Sequence, residues 1–99
     1  MLEIPLQGGS VNSHQRITVQ LGENLLELHL NYLQSGQWSV NILREGILLC
    51  AGAMLEPNSN IIQAWNLQDD IGKLVFTGFE TTLDNLGIDN HLVWVAPGE

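Results

Sequence analysis

Hydrophobic and polar positions alternate with period two over most of this chain, the spacing of strands that bury one face. From His14 to Leu21, Ile17, Val19 and Leu21 share one face, and Arg16, Thr18 and Gln20 share the other. From Leu25 to Leu33, Leu26, Leu28, Leu30 and Tyr32 alternate with Glu27, His29 and Asn31. Leucine is also a good helix former, but no N-cap and no helical stripe accompany this run, so the alternation predicts a strand. Trp38, Val40 and Ile42 alternate with Ser39, Asn41 and Leu43 in a third run. Between the runs stand Leu21-Gly22-Glu23-Asn24, Gln34-Ser35-Gly36-Gln37 and Arg44-Glu45-Gly46. Each reads as a tight hairpin in which glycine supplies positive φ. The first half of the chain is therefore expected to be an antiparallel meander.

A fourth strand, Ile47 to Leu55, is apolar on both faces. That predicts a central strand covered on both sides, bent at Gly52. Glu56 to Asn60 reads as a polar loop, and Ile61 to Trp65 as either one helical turn or an extended crossing. Asp69-Asp70-Ile71-Gly72 is a turn signal. Lys73 to Phe79 and Leu92 to Ala96 alternate again, and Pro97-Gly98 stops the last run. Glu3 to Leu6 could add a short edge strand, and no repeat or heptad is present. The expected fold is all-β: one domain over residues 1–99, a small antiparallel sandwich or barrel of six to seven strands, rich in meander connections.

Length and charge narrow the function. For 99 residues and 10.9 kDa, surface scaling gives roughly 5,600 Å² folded against about 15,800 Å² unfolded. That suffices for one core and leaves little area for a deep catalytic cleft. Hydrophobic residues make up 44% and charged residues 14%, against the usual ~25% charged. Such a surface suggests apolar area that a partner covers. Eleven acids oppose three bases, for a net charge of −8, and Arg16, Arg44 and Lys73 are far apart. No basic run exists to hold phosphates, so specific nucleic-acid binding and attachment to an anionic membrane are both excluded. An acidic wall would be useful where DNA must slide past without adhering. Met1-Leu2-Glu3-Ile4-Pro5 lacks the basic start and apolar core of a signal peptide. Cys50 is a lone cysteine in an apolar run, which fits a buried small hydrophobe and synthesis in a reducing cytoplasm.

No residues point to catalysis, a cofactor or a metal. His14, His29 and His91 lack the spacing that presents ligands from one face, and no GxSxG surrounds any serine. Gln7-Gly8-Gly9-Ser10 is too short for a phosphate loop. Asp84 to Asn90 is rich in oxygen, but Leu86 and Ile88 stand where a calcium loop needs ligands, so turn chemistry is expected there. Trp38, Trp65 and Trp94 could form a sugar-stacking platform, the basis of an alternative reading as a small carbohydrate-binding module. Trp38 and Trp94, however, fall on apolar strand faces. Ile61, Ile62 and Trp65 have no alternation to hide them and are the candidate protein interface. The competing reading folds these three back as a lid over one end of the core.

The order of motifs along nearly the whole chain resembles the short baseplate plug proteins of contractile-tailed phages, of cyanophage type. The resemblance rests on Ile4-Pro5-Leu6, the hairpin from Ile17 to Tyr32, and Gln37-Trp38-Ser39-Val40-Asn41-Ile42. It continues through Gly46-Ile47-Leu48-Leu49, Ala51-Gly52, Asn60-Ile61-Ile62, Gly72-Lys73-Leu74-Val75-Phe76 and Leu86-Gly87. It implies a non-enzymatic structural protein of the virion, made in the host cytoplasm and seated in the tail baseplate. There it would close the central channel against hub, spike and tail tube or tube-initiator subunits, with self-association as a further contact.

Overall fold

Among the described residues the chain forms eight strands, β1 (Leu2–Ile4), β2 (His14–Leu21), β3 (Asn24–Tyr32), β4 (Trp38–Arg44), β5 (Ile47–Met54), β6 (Ser59–Asn60), β7 (Lys73–Gly78) and β8 (Asn90–Val95). A short α-helix, α1 (Trp65–Asp70), precedes β7, and a single 3-10 turn spans Ser10–Asn12. The computed structural model describes residues 2–63 and 65–98, without the side chains of Trp65 and Asn66. Two antiparallel sheets form, ordered β2-β3-β4-β5 and β1-β8-β7-β6, and they share one core. The fold is a sandwich; the sheets do not join into a barrel. There are eight strands where six to seven were expected. The extra one is β6, whose two residues pair with Phe76 and Val75 and are too few to show any alternation.

The hairpin turns fix the register. Leu21 pairs with Asn24 across Gly22-Glu23, and Arg44 pairs with Ile47 across Glu45-Gly46. With that register, Leu26, Leu28 and Leu30 of β3 and Trp38, Val40 and Ile42 of β4 all face inward and are fully buried. Ile4, Leu74, Phe76 and Leu92 oppose them from the second sheet. The accessible surface, 5658 Å², matches the size-based expectation.

The expectation for β5 is corrected. It is an edge strand, not a central one, and Ile47 and Leu48 are exposed. Its pairing with β4 shifts register between Val40 and Ile42 and again between Ile42 and Leu43. Such bulges rotate successive side chains off the two-face pattern, so an apolar run did not translate into burial on both sides. The bend expected at Gly52 is present: φ is +68, and its N–H donates to Asn41 Oδ1 at 2.8 Å.

Between β6 and α1 the described residues 61–63 form no regular element and bend at Ile61. Asn60 organises this stretch, because its Oδ1 accepts from the N–H groups of Ile62 and Leu74 at 3.1 Å each. Ile61 and Ile62 then turn into the core, and Ile71 follows them after the helix. At the other end of the sandwich Leu55 and Leu86 close the core, beside the buried Asn90.

Candidate functional site

The sequence candidates separate cleanly in space. Of the candidate interface residues, Ile61 and Ile62 are 4% and 1% exposed and pack in the core, so their side chains offer little surface to a partner in this arrangement. Burial of two isoleucines contributes about 1.5–3 kcal/mol each, and the stretch that Asn60 fixes places them where that gain is available. Trp65 opens α1, but its side chain lies outside the described residues. Trp38 is buried, and its Nε1–H donates to Thr82 O at 3.0 Å. Trp94 is half-buried, and its Nε1–H donates to Ile71 O at 2.8 Å. Both indole donors are therefore committed inside the chain, and neither ring is part of an exposed platform for sugars.

Titratable groups are scattered in pairs. His14 contacts Asn31, His29 lies 2.7 Å from Glu27, and His91 lies 2.9 Å from Glu3. These pairs sit on the outer faces and edges of different strands. Among the described residues, no three of His, Cys, Asp and Glu converge as a metal site would require. Arg44 reaches Asp70 at 2.7 Å and Asn24 at 3.0 Å, tying β4 to α1. Burial pushes the Cys50 thiol above its ordinary pKa. Cys50 lines an open groove of about 500 Å³ between β5 and β6, together with Met54, Glu56, Ser59 and Gln63. No histidine lines that groove to take a proton from the thiol, and a raised pKa makes a poorer nucleophile at neutral pH.

The loop from Phe79 to Asp89 is held by amides. Asn90 Oδ1 accepts from Gly87 N–H at 2.8 Å, and Asn85 Oδ1 accepts from Thr82 N–H at 2.7 Å. Asn85 Nδ2 donates to Glu80 O at 2.9 Å. The side-chain oxygens of Asn85 and Asn90 are thus engaged with backbone N–H groups, the turn role expected of such residues. Asn, more than Asp, performs it.

Sequence reasoning missed the exposed apolar residues at that end. Val11, Phe79 and Ile88 are 93%, 74% and 72% exposed. Phe79 carried a signal, since it falls out of phase with Leu74 and Phe76 on β7. Val11 and Ile88 sit in polar connections, where no period shows which way a side chain points.

These features define a class: a small β-sandwich whose described residues assemble no reaction centre and whose resources are surfaces, namely an open strand edge and apolar loop tips. A family model described as "Cyanophage baseplate Pam3 plug gp18" matches residues 1–97, and the chain belongs to that family of baseplate plug proteins. Membership gives it a structural role in the virion tail, in association with other baseplate components. A search of curated proteins found no match to the chain. Among the described residues no helix is long and apolar enough to cross a membrane.

Proposed function

We propose that this chain plugs the central channel of the baseplate hub, through protein–protein contacts with hub, spike and tail tube or tube-initiator subunits, and performs no catalysis. The observation that carries the reading is the family match over residues 1–97. Charge supports it. Arg44 is engaged by Asp70 and Arg16 lies 3.9 Å from Glu27, so the net charge of −8 dominates the field around the molecule and repels phosphate. A plug of this sign would let DNA pass without adhering once it is displaced. The free edge of β5 supports it too, because a strand from a neighbouring subunit, or from a second copy, can add there through backbone hydrogen bonds.

Purified tails test the reading. Tails assembled with the chain should contain it in fixed ratio to the hub, and tails assembled without it should lose density in the hub channel by electron cryomicroscopy. An unchanged channel in tails that lack the chain would refute the plug, while retaining a structural role elsewhere in the baseplate.

A further inference from the structure

One end of the sandwich is built for a partner of stated chemistry. Four connections meet there, residues 5–13, 33–37, 55–58 and 79–89. Val11, Phe79 and Ile88 project from two of them and are the three most exposed large apolar residues described. Burying such side chains would stabilise an isolated chain; this fold leaves all three in solvent. The loops that carry them are bonded to each other. Gly9 N–H donates to Leu83 O at 2.7 Å, and a Cβ at Gly87 (φ +83) would collide with the carbonyl oxygen of Leu6. Trp38 Nε1 and the buried Asn90 anchor the longer loop to the core. The apolar tips are therefore held in place before any partner arrives, which reduces the ordering cost of binding.

Charge distinguishes the occupant. The four connections carry Glu56, Glu80, Asp84 and Asp89, all exposed, and no lysine or arginine. Glu56 and Glu80 also flank an open groove of about 720 Å³ with Tyr32 and Thr82. All three basic residues are elsewhere: Arg44 and Lys73 at the opposite end, and Arg16 on the outer face of β2 beside Glu27. Two copies meeting end to end here would set four carboxylates against four, with no cation between them. Like charges so placed oppose self-association and favour a surface of opposite sign.

We infer that this end docks onto a different protein of the baseplate, one that presents apolar pockets for Val11, Phe79 and Ile88 within a rim of lysine and arginine. The inference rests on the baseplate reading and names the kind of partner surface that reading requires. Phage tails assembled with variant chains test it. Tails assembled with F79S/I88S should contain at least roughly tenfold less of the chain, as expected for removal of central interface anchors. Tails with E80K/D84K should show a comparable loss. L25S and E23K/E45K, exposed changes at the opposite end, should be incorporated as wild type, and all four isolated chains should melt with the wild type. A benzophenone side chain at position 11 supplies a readout that does not depend on those variants: in assembled tails it should cross-link to another polypeptide, at a peptide containing lysine or arginine. Normal incorporation of F79S/I88S, or a cross-link from position 11 only to a second copy of this chain, would overturn the inference with the baseplate reading intact. Wild-type chain missing from purified tails would overturn both.

Discussion

Asn90 is the side chain whose removal tests the architecture of the loop end most directly. It is the one fully buried polar residue described. Its Oδ1 accepts from Gly87 N–H at 2.8 Å, and its Nδ2 donates to Phe79 O and Asn85 Oδ1 at 3.4 Å each. In Asn90→Ala, the short bond is lost and the Gly87 N–H loses its acceptor, at about 1–2 kcal/mol because Gly87 is only partly buried. The two long bonds and the space left by the carboxamide add about 1 kcal/mol. The sum, about 2–3 kcal/mol, corresponds to a melting temperature lower by roughly 10–20 °C in a domain of this size. Asn90→Asp is the sharper probe. It keeps the acceptor for Gly87 but turns a donor into an oxygen that faces two acceptors, in a site with no cation. Its carboxyl pKa in the folded state must then rise above the ordinary value of about 3.9. As pH rises through about 4, the unfolded chain releases this proton and the folded chain retains it, so stability relative to wild type falls until the raised folded pKa is passed. Below pH ~4 both states are protonated, the acid O–H can donate, and most of the penalty disappears. Urea unfolding of wild type and both variants at pH 7 and pH 3.5 measures this. An Asn90→Ala cost within about 0.5 kcal/mol of zero, or an Asn90→Asp penalty independent of pH, would refute the account of the loop.

Leu28→Ala should cost ~2–5 kcal/mol in chemical denaturation, whereas Leu48→Ala, exposed on β5, should change stability by less than ~0.5 kcal/mol; equal costs would mean the sheet edge is misassigned. Trp38→Phe should lower stability by about 1–3 kcal/mol through the lost bond to Thr82 and the smaller ring, and amide exchange should quicken at residues 79–89. Burial that raises the Cys50 pKa lowers its thiolate fraction, so iodoacetamide at pH 8 should modify it more slowly than free cysteine until urea unfolds the chain. Equal rates with and without urea would contradict that burial.

How far the fold could be read from the residues depends on where each strand sits. β3 and β4 are central in their sheet and lie under the second sheet, so the leucines at 26, 28 and 30 and the set Trp38, Val40 and Ile42 obey strict alternation. The tight turns at Gly22 and Gly46 leave no slack for a different register. β5 misled because hydrophobicity reports the tendency to be buried, and its many small residues, Ala51, Gly52 and Ala53, can line an edge at little cost. Ile61 and Ile62 lacked a period, and absence of a period does not distinguish an exposed anchor from a residue that packs in the core. The side-chain oxygen of Asn60, bonded to residues two and fourteen positions later, decides the matter. The apolar loop end was invisible for a related reason. Val11, Phe79 and Ile88 are far apart in sequence, and only the pairing of β7 with β8 and the Gly9–Leu83 bond bring their loops to one end.

A protein that works by contact must bind others without polymerising on itself, and the two exposed features of this chain handle that demand differently. β5 is the greater hazard, since residues 46–55 contain no charge and no proline to blunt the strand edge. What restrains it is geometry: two register shifts within eight residues twist the edge, so only short stretches can pair with a flat second copy. The opposite edge, β2, needs no such device, because Arg16, Thr18 and Gln20 already place polar groups along its outer face. At the loop end the restraint is electrostatic instead, with four carboxylates around three apolar tips and no base among them. Salt should therefore act on the loop end and leave β5 as it is. Screening weakens the attraction between the loop end and a basic partner and relieves repulsion between copies that meet there, whereas the register shifts that restrain β5 do not depend on ionic strength.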